Sequence, residues 1–348
     1  MLETTPAGVE FELSQFFSES RARATEYGSH YLALWDALEE AATGGKRVRP
    51  TLVLTAFSGL GGVDMALAGQ VAVSFELLHT AFVIHDDVID RDLARRGVAN
   101  IAGRFTDRAF AHGAEPDQAA VWATAAGILA GDLALSEAHR ILARLPIAGD
   151  MRVRLLDLLD RAVFVSAAGE LADVTNALAQ HPPGMDDVVA TLDQKTAVYS
   201  FEAPLQAGAV LAAASDEDIA TLGRFGRLVG IAFQLTDDLL GIFGDSTKTG
   251  KSVTADLREG KQTALLAHAR SVPGWDVIDP LVGKRDLTEA EAQRARQHLT
   301  ECGARHRVES LAREYAARAI DELERSALPA ALRGKLATLA GSSVERSR

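Results

Sequence analysis

Two clusters of aspartates follow apolar stretches of the chain. Asp86, Asp87 and Asp90 follow residues 71–84, which contain a single carboxylate, with His85 in between. In a helix, Asp86 and Asp90 lie on one face and Asp87 lies about 100° further round. Carboxylates that are crowded together and withdrawn from water repel one another, at a cost of roughly several kcal/mol each, so they need cations.

The same pattern recurs at residues 228–236, an almost uncharged stretch that is followed by Asp237 and Asp238. This repeated pattern predicts two apolar helices whose aspartate pairs face each other across a cavity. Oxygen ligands without His or Cys favour Mg²⁺ or Mn²⁺. Because Mg²⁺ usually completes its shell with water and substrate phosphates, the pattern indicates a phosphorylated substrate. For one such cluster alone, a solvated helix end is the ordinary explanation.

Basic residues stand close to both clusters, although the formal net charge of the chain is −12. Arg side chains match phosphate oxygens bidentately, and Lys supplies a mobile point charge. Any one of them is explained equally well as an ordinary surface cation, but their combined placement favours phosphate binding. They are Lys46, Arg47, Arg49, Arg95, Arg96, Lys195, Lys251 and Lys261.

The elements that must position these residues are helices. In the chain of 348 residues, apolar side chains recur every three or four positions, and alternating runs are rare. Long helices are predicted over 63–90, 117–144 and 150–178. No composition shift marks a linker, so we expect one all-helical domain over 1–348, with a mobile loop at about 244–262 and a flexible tail at about 342–348.

Composition excludes several classes of protein. With 36 Lys and Arg against 48 Asp and Glu, general binding to nucleic acid or an anionic membrane is disfavoured. The single cysteine, Cys302, rules out an intrachain disulfide. The first residues lack the basic start and apolar run of a signal peptide, and no stretch reaches 18 uncharged apolar residues, so we expect a cytoplasmic protein without a transmembrane segment.

The ordered series of motifs resembles the trans-isoprenyl diphosphate synthases, the polyprenyl synthetase family, and most of all bacterial members that make geranylgeranyl diphosphate. The series runs GGKRVRP, ELLHTAFVIHDDVIDRDLARRG, GD, GELADV, KTA, FQLTDDLLG, TGK and GK. The resemblance implies a bundle of about ten core helices around a deep central cavity, usually in a homodimer. It implies an enzyme that condenses isopentenyl diphosphate with an allylic diphosphate, using three Mg²⁺ per active site, or Mn²⁺ in its place.

The resemblance also implies a role for each matching residue. Asp86, Asp87 and Asp90 match the first metal-binding motif, and Asp237 and Asp238 match the second. The residues that match the isopentenyl diphosphate site are Lys46, Arg49, His79 and Arg96. Those that match the allylic diphosphate site are Arg95, Lys195, Lys251 and Lys261. Thr196 and Gln234 match groups that stabilise the allylic cation as it forms.

The chain departs from the family pattern at four places. Gly241 stands where the second motif has its third aspartate, which puts the affinity for the third metal in question, and Asp245 lies one turn further on. Glu170 replaces a glutamine, residues 97–100 replace a Pro-Thr, and Thr254 replaces a loop glycine. None of these changes removes a residue that matches a diphosphate ligand, so we expect an active enzyme.

The length of the product is predicted from the residues five and four positions before Asp86. These are Ala81 and Phe82, one small and one aromatic. In this family such side chains form the floor beneath the growing chain, and a helical turn rises about 5.4 Å, close to the length of one C5 unit. The combination predicts a C20 product, geranylgeranyl diphosphate, with C15 and C25 as neighbouring alternatives. The competing explanation is that Phe82 only packs in the hydrophobic core and that another helix limits the product length.

Three other functions compete with this assignment. A class I terpene cyclase ionises its substrate in the same way, but the Ser or Thr and the Glu of its second motif are absent here. A non-catalytic regulatory subunit usually loses part of the first motif, which this chain keeps. An acidic helical scaffold would bind no diphosphate in the presence of metal.

Overall fold

The computed structural model describes residues 7–95, 97–178, 182–244 and 255–345. The α-helices are α1 (Ala7–Ala24), α2 (Ser29–Ala42), α3 (Val48–Gly59), α4 (Met65–Asp90), α5 (Ile101–Ala111), α6 (Pro116–Ala143), α7 (Gly149–Leu178), α8 (Met185–Leu192), α9 (Ala203–Leu211), α10 (Asp216–Phe243), α11 (Ala255–Glu259), α12 (Ala264–Arg270), α13 (Glu289–Glu301), α14 (Ala304–Glu324) and α15 (Ala330–Glu345). The predicted all-α fold is confirmed, and the three predicted long helices agree with α4, α6 and α7 within two residues at each end.

Shorter elements complete the described chain. A π-helix spans Asp193–Glu202, and 3₁₀ turns lie at Thr25–Tyr27, Trp275–Val277 and Asp279–Leu281. Strands β1 (Ala94–Arg95) and β2 (Val98–Ala99) pair antiparallel, with Arg95 opposite Val98.

The chain divides into two compact units. The N-terminal unit comprises the described residues up to Leu159 together with Val210–Ala213, and the C-terminal unit comprises Asp160–Ala209 and the described residues from Ala214 onwards. That the whole chain is a single domain stays a prediction.

Helix α4 is the core of the N-terminal unit and packs against α6, α3 and α1. Phe75, Leu77 and Leu78 on it are fully buried, and each contributes about 1.5–3 kcal/mol by leaving water. On α6, Gly127 and Gly131 lie against Val88 and His85 of α4, and a Cβ at either glycine would overlap those side chains. The missing side chains therefore let the two helices approach closely at the end of α4 that carries the first aspartate cluster.

Helix α10 has the corresponding place in the C-terminal unit and packs against the π-helix and α14. Ser215 caps its start by accepting a hydrogen bond from the backbone N–H of Asp218 (3.1 Å). Gly226 and Gly230 lie directly against the π-helix, where a Cβ would overlap Glu202 or Ala197. This close approach brings the polar side chains of the two helices within hydrogen-bonding distance.

The two segments expected to be mobile contain helix. Residues 245–254 of the predicted loop lie outside the described residues, but α11 occupies part of the rest of that loop. In the predicted tail, residues 342–345 belong to α15 and Ser343 is buried, while 346–348 lie outside the described residues.

By length and composition, α4 and α6 would each be long and apolar enough to cross a membrane. In the most apolar window of α4, 72% of the residues are buried, as expected of a core helix, against 39% in α6. Core helices often pass this test, so it is weak evidence for a membrane span. That no helix crosses a membrane stays a prediction.

Candidate functional site

The first aspartate cluster lies at the C-terminal end of α4. Asp87 is buried, Asp86 is partly buried and Asp90 is exposed. The helix ends at Arg91, whose left-handed backbone (φ 61°) turns the chain away. Because the C-terminal end of a helix is the negative end of its dipole, these carboxylates need positive charge from elsewhere.

Arg95, on strand β1, supplies that charge in the structure. Its Nε donates to Asp87 Oδ1 (2.8 Å), and its Nη2 donates to Asp86 Oδ2 (3.0 Å). Burial raises the pKa of Asp87, although Arg95 opposes this rise. Burial alone would lower the pKa of Arg95, but the hydrogen bond and charge of Asp87 outweigh it, so the pKa is raised. The structure thus places Arg95 beside this cluster, on strand β1. Its role in binding a diphosphate stays a prediction.

The hairpin that carries Arg95 is fixed at its base. Asn100 caps α5 by accepting from the backbone N–H of Gly103 (2.9 Å), and its Nδ2 donates to the carbonyl of Asp92 (2.8 Å). A Cβ at Gly103 would overlap the carbonyl oxygen of Leu93, so α5 packs directly on the hairpin. Arg96, the next predicted site residue, lies outside the described residues.

Three further predicted residues lie on α4 before the aspartates. His79 precedes Asp86 by seven residues, about two helical turns, and is partly buried. Ala81 is fully buried and Phe82 is partly buried.

Lys46 and Arg49 flank the start of α3, where Lys46 is exposed and Arg49 is partly buried.

Asp132 of α6 lies beside His85, the residue that precedes the first cluster, although sequence reasoning assigned it no role. The His85 Nε2 lies 3.4 Å from Asp132 Oδ1, and His85 packs on Gly131. The signal in the sequence was the Gly-Asp pair, which permits close packing and then supplies a carboxylate.

In the C-terminal unit, the π-helix carries Lys195 and Thr196. Wide helical turns of this kind are rare and recur at functional sites. Lys195 Nζ donates to Glu170 Oε1 (3.1 Å) and to Asp173 Oδ2 (2.7 Å), both on α7. A Cβ at Gly169 would overlap the backbone of Lys195, so this glycine lets the two helices meet. Sequence reasoning quoted Glu170 and Asp173 in a motif but did not pair them with Lys195.

A chain of hydrogen bonds links the π-helix to the second aspartate pair. Thr196 Oγ1 donates to Gln234 Oε1 (3.3 Å), and Gln234 Nε2 donates to Asp238 Oδ1 (3.0 Å). The Oδ2 atom of Asp238 is buried and has no hydrogen-bond partner among the described residues. Asp237 is exposed. The structure therefore brings three predicted site residues together, Thr196, Gln234 and Asp238, while their roles stay predictions.

Lys261 extends this second cluster. Burial raises the pKa of Asp238 to about 7, although the charge of Lys261 opposes the rise. Burial would lower the pKa of Lys261, but the charges of Asp238 and Asp256 outweigh it and raise the pKa. Asp256, on α11, was not predicted as a site residue, and its carboxylate lies beside Gly241. Lys251 and Asp245 lie outside the described residues.

The donor set of both clusters suits Mg²⁺, since it consists of carboxylate oxygens without Cys. In the described ranges, no three His, Cys, Asp or Glu side chains converge closely enough to hold a metal alone. Mg²⁺ generally takes water and substrate phosphates as additional ligands. The orphaned Oδ2 of Asp238 is a buried acceptor that a cation would satisfy.

Comparison with known proteins assigns the family. The polyprenyl synthetase family profile matches residues 33–299. The geranylfarnesyl diphosphate synthase of Aeropyrum pernix is 35% identical over 288 residues, which cover 81% of this chain and 84% of that protein. The (2E,6E)-farnesyl diphosphate synthase of Mycobacterium tuberculosis is 33% identical over 311 residues, covering 87% of this chain and 80% of that protein.

A solved structure extends the similarity to the fold. The geranylgeranyl pyrophosphate synthase from Corynebacterium glutamicum, complexed with isoprenyl diphosphate and magnesium, has a TM-score of 0.90 at 29% identity and covers 97% of each chain. An all-α fold that carries paired aspartates with basic side chains beside them is suited to bind a divalent cation together with a phosphorylated substrate. The chain belongs to the polyprenyl synthetase family and is a prenyltransferase, a trans-prenyl diphosphate synthase.

Proposed function

We propose that the protein condenses isopentenyl diphosphate with an allylic diphosphate in a Mg²⁺-dependent head-to-tail (1′-4) reaction and that its main product is geranylgeranyl diphosphate. The observation that carries this proposal is the cluster of Asp86, Asp87 and Arg95 at the end of a buried apolar helix. Such a cluster combines oxygen ligands for a divalent cation with a guanidinium that matches phosphate oxygens.

The metal would be held by the aspartates of both clusters. These are Asp86, Asp87, Asp90, Asp237 and Asp238. Three bound Mg²⁺ would neutralise the charge that develops on the departing diphosphate. The second cluster lacks the third aspartate of the family pattern, and Asp256 beside Gly241 supplies a carboxylate at that place.

The basic residues bind and hold the allylic diphosphate. Arg95, Lys195 and Lys261 are the described members of this set, and Lys251 completes it in the proposal. When the allylic C–O bond breaks, its electron pair leaves with the diphosphate, and fixed positive charges stabilise that group without reorganising. Thr196 and Gln234 present oxygen acceptors that stabilise the positive charge on the allylic carbon.

The second substrate supplies the new bond. Lys46, Arg49 and His79, with Arg96, bind the diphosphate of isopentenyl diphosphate, whose double bond attacks the allylic carbon. Loss of a proton from the adjacent carbon, to the departed diphosphate, restores a double bond. No residue of the chain acts as a covalent nucleophile in this scheme.

The relatives differ in the product that their names state: geranylfarnesyl, farnesyl and geranylgeranyl. Ala81 with Phe82 supports the intermediate C20 length, because the alanine leaves room and the phenylalanine limits it. Incubating the protein with Mg²⁺, isopentenyl diphosphate and dimethylallyl diphosphate, and identifying the dephosphorylated alcohols, tests both statements. Geranylgeraniol as the main alcohol supports the proposal, while farnesol or longer alcohols contradict the assigned length.

Other outcomes of that incubation identify the competing functions. A cyclic hydrocarbon formed from a supplied longer diphosphate, without elongation, would show a terpene cyclase. No turnover of any diphosphate would show a non-catalytic subunit or a scaffold.

We further propose that the protein works as a cytoplasmic homodimer. In the C-terminal unit, α7 exposes Phe164, Leu171 and Leu178 at seven-residue intervals, each at least 69% exposed. Large apolar side chains repeated on one helical face are typical of a helix-packing interface. A second copy of the chain would cover this stripe, and the single cysteine is consistent with the reducing cytoplasm.

A further inference from the structure

Arg47 stands between Lys46 and Arg49, two residues proposed to bind isopentenyl diphosphate, yet it does not share their exposure. It is only 3% exposed, whereas Lys46 is exposed and Arg49 is partly buried. A buried arginine at this place needs a structural or functional explanation, because arginine is almost never fully buried unless it is paired.

The side chain of Arg47 is held by four hydrogen bonds. Nε and Nη2 donate to the two carboxylate oxygens of Glu10 (2.6 and 3.0 Å). Nη1 donates to Glu76 Oε1 (2.7 Å) and to the carbonyl oxygen of Ala42 (2.7 Å). Burial alone would lower the pKa of Arg47, but the hydrogen bonds and charges of the two glutamates raise it.

Arg47 is also fixed through its backbone. It caps α3 in the left-handed conformation (φ 48°, ψ 42°), which is uncommon for a residue with a side chain and costs roughly 1 kcal/mol or more. Its carbonyl accepts from both the backbone N–H and the Oγ1 of Thr51 (3.0 and 2.7 Å). Gly44 and Gly45 before it also have positive φ, which glycine adopts readily, so Arg47 is the residue of this turn whose backbone conformation needs anchoring contacts.

One partner of Arg47 belongs to the helix that carries His79. Glu76 lies on α4, one turn before His79, and Glu10 lies on α1. The Oε2 of Glu76 is buried and accepts no hydrogen bond from the described residues, so Arg47 is the cation that balances its charge. Arg47 thus joins the turn that carries Lys46 and Arg49 to the helix that carries His79.

We propose that Arg47 is a positioning residue that sets Lys46 and Arg49 relative to His79 for binding isopentenyl diphosphate. This inference rests on the proposed function of those three residues. A displacement of about 1 Å in a binding group is enough to weaken catalysis many-fold. Stability alone does not account for the pair, because replacing a buried ion pair by apolar residues of similar size is often neutral or stabilising.

The test compares the single variant R47M with the double variant R47M/E76L. R47M leaves the Glu76 carboxylate buried without a partner, so it lowers both the Tm and the affinity for isopentenyl diphosphate. The double variant removes the unpaired charge, and its Tm recovers. If Arg47 positions the turn, the KM for isopentenyl diphosphate stays raised by about tenfold or more in both variants. The KM for the allylic diphosphate changes by less than about twofold in either.

L142A serves as the matched control. Leu142 is fully buried on α6, so its truncation lowers the Tm by opening a cavity, without touching the turn. An equal rise in the KM for isopentenyl diphosphate in L142A would overturn the inference. A KM that recovers together with the Tm in R47M/E76L would overturn it as well.

Binding of isopentenyl diphosphate alone, measured by calorimetry, separates this inference from the proposed function. If the wild type binds isopentenyl diphosphate but does not condense it, the proposed reaction fails, and the loss of binding in R47M/E76L still supports the role of Arg47. If the wild type does not bind isopentenyl diphosphate, both fail.

Discussion

The carboxylate of Asp256 lies beside Gly241, in the space that a side chain at position 241 would occupy. Gly241 stands on α10 one turn after Asp237, where the family pattern has a third aspartate. Asp256 reaches the same place from α11, so a carboxylate is present there although α10 does not supply it. A change at position 241 is therefore expected to move the carboxylate of Asp256.

Replacing Gly241 by alanine is expected to displace the Asp256 carboxylate rather than to unfold the protein. G241A and D256N should each raise the Mg²⁺ concentration for half-maximal activity, by about tenfold, as changes near metal ligands commonly do. The measurement is a Mg²⁺ titration of the initial rate for both single variants and for G241A/D256N. Because both changes act on one carboxylate, the double variant should be little worse than either single variant. Fully additive effects would contradict this coupling.

Glu170 is expected to weaken the binding of the allylic diphosphate. Its carboxylate takes a hydrogen bond from Lys195 and adds a negative charge beside a cation proposed to bind phosphate. E170Q removes that charge and keeps the shape, so the KM for the allylic diphosphate should fall by roughly fivefold, which corresponds to about 1 kcal/mol. Steady-state kinetics with the allylic substrate varied check this. D160N, which changes an exposed carboxylate about three turns earlier on α7, is the control. A higher KM in E170Q would show that Glu170 instead orients Lys195.

The sequence was informative where a pattern is local. The long helices α4, α6 and α7 follow from apolar spacing, and the placement of Asp86 and Asp87 at a buried helix end follows from the contrast between an apolar run and its charged end. The family resemblance gave Thr196 and Gln234 the same expected role without predicting a contact between them, and the hydrogen bond that joins them is seen only in the structure.

Relationships between distant segments could not be read from the sequence. The contacts of Lys195 with α7 depend on the π-helix and on the close approach at Gly169, neither of which has a periodic signal. The burial of Arg47 depends on Glu10 and Glu76, at separations of 37 and 29 residues. A basic residue within a basic motif is indistinguishable from its neighbours until its partners are known.

The size of the side chains at positions 81 and 82 is expected to set the product length. F82A should lengthen the main product by one C5 unit, because removing the ring frees about one helical turn of space. A81F should shorten it to C15, because it places a ring at a position that is now an alanine. The dephosphorylated alcohols of each variant are identified beside those of V83A, the neighbouring control on α4. Unchanged products in F82A and A81F would show that another helix limits the chain.

The apolar stripe on α7 is expected to be the dimer contact. F164D/L171D places two carboxylates in the stripe, and burying them unpaired costs several kcal/mol, roughly, so the dimer should dissociate. Size-exclusion chromatography with light scattering gives the mass of each species. F11D, which changes an exposed apolar residue on α1, should leave the mass unchanged. A wild type that is monomeric, or a variant that remains dimeric, would contradict the proposal.

Glu291, in the capping box of α13, is expected to make the stability of the folded protein depend on pH in the acid range. Its Oε2 accepts from the backbone N–H and the Oγ1 of Thr288 (both 2.9 Å), and its Oε1 accepts from Lys284 (2.6 Å). The hydrogen bond from Lys284, and after it those from Thr288, lower the pKa of Glu291 from its ordinary value of 4.5 to about 2. Because the folded state holds the charged form, this stabilisation is fully present above pH 4.5 and is lost as the pH falls towards 2.

E291Q should therefore have a lower Tm than the wild type near neutral pH, by about 2 °C, as expected for a weakened helix cap. The difference should shrink as the pH falls below 4.5, the ordinary pKa, since the wild type then loses the same interaction. Thermal unfolding of both proteins is followed from pH 7 down to the lowest pH at which the wild type still folds. E289Q, on the same helix turn and largely exposed, is the control. A Tm difference that stays constant across this range would show that the charge of Glu291 does not stabilise the cap.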